Sequence, residues 1–228
     1  MDGERSPLDR VVETARRHAA LGDAHRLAMA EELALADRSP AWFGRLWGMA
    51  SNLVSHHAQV LGDAGLIQRV PSEADRRRVF LRLTVQGRSM VRPPRVAVEQ
   101  VLFVCTHNSA RSQFAEALWR RCSDLPARSG GTSPAPRVHP AAVRVARRHG
   151  VDLTNAVPKT VEPRQLPGVL LVTVCDGADR STQVPHLHWS VPDPVAVGTA
   201  AAFSSAWDHI AERVGVLAEA AHPAGVRS

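Results

Sequence analysis

Two different hydrophobic patterns follow each other along the chain. In the first part, apolar positions recur at three- and four-residue spacing, which predicts helices over 8–22 and 23–37. A third helical stripe contains Leu53, Val54, Val60 and Leu61. The apolar runs IQRV and VFLRLT then flank the charged turn PSEADRRR and predict a hairpin. Helices followed by a charged hairpin are typical of a winged helix-turn-helix, mainly α with a β-hairpin wing.

The pattern changes around a pair of prolines. Pro93 and Pro94 follow each other, and proline cannot donate a backbone hydrogen bond to a helix or a sheet. We therefore predict a linker over 93–99 that separates a first domain, 1–92, from a second domain, 100–228.

Short apolar runs alternate with amphipathic stretches in the second domain. VLFVC and LPGVLLVTVCD predict buried strands, and AEALWRRC and HPAAVRVARRHG predict helices. RSGGTSPAP is predicted to be a loop, and a long helix is predicted over 200–221. This alternation favours an α/β domain with a largely parallel sheet.

Composition limits where the protein works. Hydrophobic residues make up 44% of the 228 positions, and the formal net charge of +6 is compatible with a nucleic-acid partner without specifying one. No apolar run reaches the roughly 20 residues of a membrane-spanning helix, and the sequence starts with the charged run MDGERSPLDR. We expect a cytoplasmic protein with no membrane partner. Its three cysteines, Cys105, Cys122 and Cys175, are then expected to be thiols. We expect Cys122 to lie on a helix face that packs into the hydrophobic core.

The strongest chemical signal is Cys105, five residues, then Arg111 and Ser112, placed between a strand and a helix. Backbone N–H groups of such a tight loop can point inward and bind a tetrahedral oxyanion. Arg111 can hold two oxyanion oxygens, and the positive field favours a thiolate nucleophile at Cys105. The predicted oxyanion-binding residues are Thr106, His107, Asn108, Ser109, Ala110, Arg111 and Ser112. The alternative for the bare pattern is a buried cysteine at the end of a core strand with an unrelated arginine nearby.

CTHNSARSQFAEALW resembles the phosphate loop and first helix of low-molecular-weight tyrosine phosphatases and the related arsenate reductases. SGGTSP with HPAAVRVARRHGVDLT resembles the second segment of that family, and HWSVPDP resembles its acid loop. The resemblance implies a parallel four-stranded sheet, with Cys105 as nucleophile, Arg111 as oxyanion clamp and Asp193 as general acid. Without it, Asp193 between two prolines would be interpreted as a turn residue.

Reductase and phosphatase remain alternatives within this resemblance. Val195 stands where tyrosine phosphatases carry an aromatic residue after the Asp-Pro pair, and the chain contains no tyrosine. THNS, Gln113 and the HW pair are more similar to arsenate reductases, so we favour reduction of arsenate. A phosphatase acting on a phosphoprotein or small phosphoester is the second reading. A repressor that only senses an oxyanion or a redox state is the third.

Reduction of arsenate requires electrons from thiols. In the resemblance to thioredoxin-linked reductases, Cys175 matches the first of two further cysteines, whereas Thr182 stands near the second. Cys175 is thus a possible redox residue or a structural one. We expect no bound cofactor and an external thiol reductant, such as mycothiol with mycoredoxin or glutathione with a redoxin.

LGDAHRLAMAEEL and LVSHHAQVLGDAGLIQR resemble the ArsR/SmtB repressors over residues 8–85. The resemblance implies a homodimer that binds double-stranded operator DNA, with a recognition helix near 50–62 in the major groove. The candidate DNA contacts are Ser51, Asn52, Ser55 and His56 on this helix, and Arg76, Arg77 and Arg78 on the wing.

The same region contains no predicted metal or inducer site. His56 and His57 are adjacent, and neighbouring side chains on a helix point about 100° apart, so these two cannot readily hold one ion. Many arsenical repressors carry a Cys-x-Cys pair before the recognition helix, but no cysteine precedes Cys105. Any arsenic signal is then expected to enter through the second domain.

Overall fold

The computed structural model describes residues 6–164 and 166–224. They form two compact units, one containing the chain up to Pro71 together with Arg77–Pro94, the other Ser72–Arg76 together with the chain from Arg95. The first five residues of the charged run MDGERSPLDR lie outside the described residues. Among the described residues, we find no helix with the length and apolar character required to cross a membrane.

The first unit consists of helices followed by a hairpin. Its elements are α1 (Pro7–Leu21), α2 (Ala24–Leu35), α3 (Pro40–Trp47), α4 (Ser51–Asp63), β1 (Ile67–Pro71), β2 (Val79–Leu83) and α5 (Val85–Met90). The helices predicted over 8–22 and 23–37 correspond to α1 and α2. β1 and β2 pair antiparallel, with Ile67 opposite Leu83, as the two apolar runs predicted.

Local signals start the helices, and one apolar stripe packs α4 into the core. Asp23 caps α2 by accepting the backbone N–H groups of His25 and Arg26. On α4, Val54, Ala58 and Leu61 are buried among residues of the other elements of this unit. Leu53 does not belong to this stripe and is 42% exposed. The prediction was wrong there because neighbouring helical residues diverge by about 100°.

The second unit contains a parallel sheet with helices packed against it. Its strands are β3 (Val96–Val98), β4 (Gln100–Cys105), β5 (Ala127–Gly131), β6 (Val169–Thr173), β7 (Leu187–His188) and β8 (Ala221–Pro223). Its helices are α6 (Arg111–Cys122), α7 (Pro140–Arg148), α8 (Asp176–Ser181), α9 (Pro194–Val197) and α10 (Ala200–Ala220). Four strands form one parallel sheet in the order β5-β4-β6-β7, which confirms the predicted parallel four-stranded sheet.

Three details differ from the sequence predictions. The predicted linker 93–99 contains β3, which pairs in parallel with β8. The predicted loop RSGGTSPAP begins as β5, although Gly130 and Gly131 look like turn residues. A Cβ at Gly130 would lie 2.5 Å from Cβ of Val161, and one at Gly131 would lie 2.7 Å from the carbonyl oxygen of Thr106. Within this strand, Gly130 permits close approach of the Val161 side chain, and Gly131 permits close approach of the loop backbone at Thr106.

The third difference concerns Cys122, which is exposed rather than part of the core. It is the last residue of α6, and its thiol donates to carbonyl oxygens of the preceding turn. The buried face of α6 carries Phe114 and Trp119 instead. Trp119 packs edge-on to Phe103 of β4, with ring centroids 6.0 Å apart. This packing holds α6 against β4, the strand that ends at Cys105.

Candidate active site

The loop that joins β4 to α6 has its carbonyl groups held outward. The N–H groups of the segment after β5 donate to loop carbonyl oxygens in four pairs: Thr132 to Cys105 at 3.1 Å, Ser133 to Thr106 at 2.8 Å, Ala135 to His107 at 2.9 Å, and His139 to Ser109 at 2.8 Å. Because a peptide's C=O and N–H point in opposite directions, the N–H groups of the following loop residues turn toward the loop interior. This is the arrangement that binds a tetrahedral anion.

Cys105 lies at the base of this loop and is 2% exposed. The backbone N–H of Asn108 donates to its sulfur at 3.0 Å, and the Ser112 hydroxyl lies 3.0 Å from the same atom. These two contacts hold the sulfur at the base of the loop. No side chain caps the N-terminus of α6, so its first N–H groups stay available for an anion.

Asn108 braces the loop from within. It adopts a left-handed backbone conformation with φ of 47°, and its side chain is fully buried. Its amide nitrogen donates to the hydroxyls of Ser112 at 2.8 Å and Ser129 at 3.0 Å. Its amide oxygen accepts the side-chain N–H of Gln113 at 3.0 Å and the backbone N–H of Lys159 at 2.9 Å. These bonds keep the loop in one conformation, with no change needed when an anion enters.

Ser129 and Glu116 support Asn108 from behind the loop, and the sequence did not predict this role. The Ser129 hydroxyl donates to Glu116 at 2.6 Å, and Glu116 is 6% exposed. Glu116 lies four residues after Ser112, so both face the same side of α6. In a helix that starts at Arg111, this four-residue spacing is the sequence signal that could have identified Glu116 as a supporting residue. Ser129 gave no signal, because its role depends on the pairing of β5 with β4.

Arg111 and Asp193 meet at the loop. A guanidinium nitrogen of Arg111 lies 3.0 Å from a carboxylate oxygen of Asp193, and another donates to the carbonyl of Val191 at 2.9 Å. The Arg111 side chain is 8% exposed and that of Asp193 is 29% exposed. The other carboxylate oxygen of Asp193 accepts the N–H of Val195 at the start of α9. The structure thus brings together the predicted nucleophile, clamp and acid.

Cys175 adjoins the same loop. Its thiol lies 3.5 Å from the Thr106 hydroxyl, and it accepts the N–H of Ala178 at the start of α8. Burial, with a smaller contribution from Cys105, raises the pKa of the Cys175 thiol, and nearby Arg111 does not offset this. Cys175 is therefore a neutral thiol near pH 7. Thr182 is buried, with its hydroxyl donating to the carbonyl of Ala178 at 2.7 Å.

A buried contact between a histidine and an aspartate supports the start of α8. His188 lies 3.1 Å from a carboxylate oxygen of Asp176, and its other ring nitrogen lies 2.9 Å from the Thr173 hydroxyl. Burial raises the pKa of Asp176, but hydrogen bonds from His188 and Ser190 and the charge of His188 outweigh it, so the net shift is downward. His188 is the histidine of the HW pair, whose structural role the sequence did not reveal.

The residues predicted to contact DNA lie on α4 and in the segment between β1 and β2. Ser51, Asn52, Ser55 and His56 are exposed on the first turns of α4. Ser51 and Ser55 line one groove of the first unit together with Arg77 and Arg78. Arg76 belongs to the Ser72–Arg76 segment of the second unit, so the three wing arginines are not grouped on one unit.

A sequence model of the family described as "Low molecular weight phosphotyrosine protein phosphatase" matches residues 100–224, more than half of the chain. The chain belongs to this family. The match begins with β4 and includes the Cys105 loop, Arg111 and Asp193. It lies within the second unit and does not reach the first, whose relation to repressors stays a prediction.

Several named relatives of this phosphatase-family chain are arsenate reductases. "Arsenate reductase" of Bacillus licheniformis is 33% identical over 132 residues, which cover 52% of this chain and 94% of the relative. "Arsenate reductase 2" of Staphylococcus epidermidis is 31% identical over 102 residues, covering 41% of this chain and 77% of the relative. The crystal structure of arsenate reductase from Archaeoglobus fulgidus is 32% identical, covers 52% of this chain and 98% of that chain, and has a TM-score of 0.46.

Replacing Asn108 tests whether it holds the loop. We expect Asn108→Ala to lower the free energy of unfolding by about 2–4 kcal/mol, because it leaves buried hydroxyl and N–H groups without partners. Affinity for inorganic phosphate, measured by calorimetry, should fall as well. Exposed Asn155 provides the matched control, and Asn155→Ala should change stability by no more than about 0.5 kcal/mol. Equal urea-denaturation midpoints for the two variants would refute the bracing role.

Proposed function

We propose that the second unit reduces arsenate to arsenite, with Cys105 as nucleophile and an external thiol as reductant. The observation that carries this proposal is the buried Cys105 sulfur with the Asn108 N–H and the Ser112 hydroxyl each 3.0 Å away, inside a loop whose carbonyl groups are held by four backbone hydrogen bonds. Arsenate and phosphate are both tetrahedral oxyanions that fit such a loop. The relatives named arsenate reductase support arsenate as the substrate.

The first step joins sulfur to arsenic. The Cys105 thiolate bonds to the arsenic of arsenate, and one oxygen leaves as water after taking a proton from Asp193. Arg111 and the loop N–H groups hold the remaining oxygens. Asp193 lies beside Arg111, so acid and clamp act on the same bound anion.

The second step transfers electrons. A thiolate of the reductant attacks the Cys105 sulfur, and the sulfur–arsenic bonding pair passes to arsenic, which falls from arsenic(V) to arsenic(III) and leaves as arsenite. Cys105 remains in a mixed disulfide, and a second thiol of the reductant releases it as a free thiolate. Two thiols are thus converted into one disulfide for each arsenate reduced.

The surroundings of Cys175 favour an external reductant such as mycothiol with mycoredoxin or glutathione with a redoxin. Burial raises the pKa of the Cys175 thiol, which weakens it as a nucleophile. Thr182 occupies the place where a second thiol would be needed to pass the oxidation outward. An external thiol that reaches Cys105 completes the reaction without either residue.

A phosphatase activity is the second candidate, favoured by the family match. Cys105 would attack phosphorus, Asp193 would protonate the leaving oxygen, and water would release phosphate. Val195 is 38% exposed after the Asp193–Pro194 pair and offers no aromatic ring to grip a phosphotyrosine. This favours arsenate over phosphotyrosine. A loop that senses an oxyanion or redox state without turnover is the third candidate.

Arsenite production by the purified full chain tests the proposal. We expect turnover of arsenate when mycothiol–mycoredoxin or glutathione–redoxin is supplied. Cys105→Ser should reduce the rate by more than about 10³-fold, because it removes the nucleophile, and phosphate binding should persist. Cys122→Ser, at an exposed thiol outside the loop, is the control and should keep wild-type turnover. Turnover of an aryl phosphate without arsenate reduction would establish the phosphatase instead. The absence of both activities would favour a loop that only senses an oxyanion or redox state.

We propose in addition that the first unit binds double-stranded operator DNA, which would make the chain a bifunctional regulator and enzyme. α4 is buried through Val54, Ala58 and Leu61, while Ser51 and Ser55 are exposed in its first turns. An exposed polar helix of this kind fits the major groove. Arg77 and Arg78 lie in the same groove as the two serines and supply positive charge for phosphates.

A homodimer is part of this proposal, because operators are commonly two-fold symmetric. α1 supports it with an outward apolar stripe: Leu8 is 68% exposed, Val11 63% and Val12 52%. A second copy of this chain would cover that stripe through an equivalent surface.

Salt dependence of DNA binding tests the role of Arg77. For random-sequence duplex DNA, Arg77→Ala should weaken binding and reduce the slope of log affinity against log salt by about 0.9, as one lost phosphate contact requires. Arg16→Ala is the control, since exposed Arg16 lines a pocket with Gly62–Gly65 at the other end of α4. Equal slopes for both variants and the wild type would exclude Arg77 as a phosphate contact.

A further inference from the structure

Three potential metal ligands meet in the first unit. Asp23 precedes α2, His25 lies in the first turn of α2, and His57 lies in the middle of α4. One ligand atom from each of these side chains lies within 4.8 Å of the other two. This cluster combines residues from two helices far apart in the sequence, which is why the adjacent pair His56–His57 gave no indication of it.

His57 is the unusual member of the cluster. It is 6% exposed, and its Nδ1 atom has no hydrogen-bond partner among the described residues. The closest carboxylate oxygen of Asp23 is 3.7 Å from Nδ1, too long for a hydrogen bond. Buried polar atoms are nearly always paired. A buried imidazole nitrogen that faces a carboxylate oxygen at this distance is placed to share an ion with it.

We propose that Asp23, His25 and His57 bind a divalent transition-metal ion of the zinc class. Two imidazole nitrogens and one carboxylate oxygen are ligands that such ions accept, with a remaining position for water. A tetrahedral ion with bonds of about 2.0–2.1 Å holds its ligand atoms roughly 3.3 Å apart. The Asp23–His57 pair, at 3.7 Å, needs to contract little. His25 is exposed at the helix start, and its ligand nitrogen lies within 4.8 Å of the other two ligand atoms.

Nearby positive charge opposes the ion only in part. Arg26 follows His25, but its guanidinium donates to the carbonyl oxygens of Ala19 and Ala20 at the end of α1. The N-terminus of α2 is also positive, and Asp23 already accepts two of its N–H groups. The carboxylate of Asp23 therefore serves both the helix and the ion through its negative charge.

Bound metal would tie the start of α2 to α4. An ion that binds the folded chain alone stabilises it in proportion to the logarithm of its concentration above Kd. Stabilisation by the metal requires neither Cys105 nor DNA. The metal site can therefore be tested independently of the functions proposed above.

Titration of metal-free full-length protein with Co²⁺ tests the site. We expect one saturable ion per chain with visible d–d absorption and no thiolate-to-cobalt charge-transfer band, since the ligands are nitrogen and oxygen. His25→Ala and Asp23→Asn should each weaken binding by about tenfold or more. Asparagine retains the helix cap, so Asp23→Asn removes the charge without unfolding α2. Zn²⁺ should raise the melting temperature of the wild type and have little effect on these two variants.

His56→Ala is the matched control, because His56 is exposed on the same helix next to His57. It should bind Co²⁺ like the wild type. A charge-transfer band would assign the ion to the cysteines instead. The proposal is also overturned if His56→Ala weakens binding as much as His25→Ala, or if Co²⁺ shows no saturable binding.

Discussion

Four backbone hydrogen bonds from the segment after β5 hold the carbonyls of the Cys105 loop outward, with donor–acceptor distances of 2.8–3.1 Å. The rest of the site depends on them, because they turn the loop N–H groups toward the interior before any anion arrives. Gly131 makes this possible, since a side chain there would collide with the Thr106 carbonyl oxygen. Asn108 then locks the loop through its buried amide. The site is thus built mainly from backbone geometry, and Arg111 adds the charge.

Much of the second unit could be predicted from its sequence because its signals are local. The apolar run before Cys105 predicted β4, and the spacing from Cys105 to Arg111 located the oxyanion loop. The strand at Ala127–Gly131 could not be predicted from local sequence. Its glycines are needed because a side chain there would collide with Val161 or with the Thr106 carbonyl, which are distant in sequence. Ser129 was missed for the same reason, and with it the contact that gives Glu116 its role. Their importance comes from pairs that form only when β5 lies beside β4.

Periodicity likewise predicted the helices and hairpin of the first unit, but it could not predict which polar side chains would lie close together. His57 is part of the same helical pattern as Ala58 and Leu61, and only folding brings it to Asp23 and His25. Adjacent histidines drew attention to His56, which is exposed. A comparison of neighbours in sequence is therefore a poor test for metal sites that join two helices.

The central claim is that Cys105 reduces arsenate with electrons from an external thiol, while Cys175 serves the structure. Serine can replace Cys175 as the cap of α8, but it cannot form a disulfide. The most direct measurement is the rate of arsenite formation by Cys175→Ser with mycothiol–mycoredoxin or glutathione–redoxin supplied. The account predicts a rate close to that of the wild type. Loss of turnover in a folded Cys175→Ser protein that still binds phosphate would contradict it, because the electrons would then pass through Cys175.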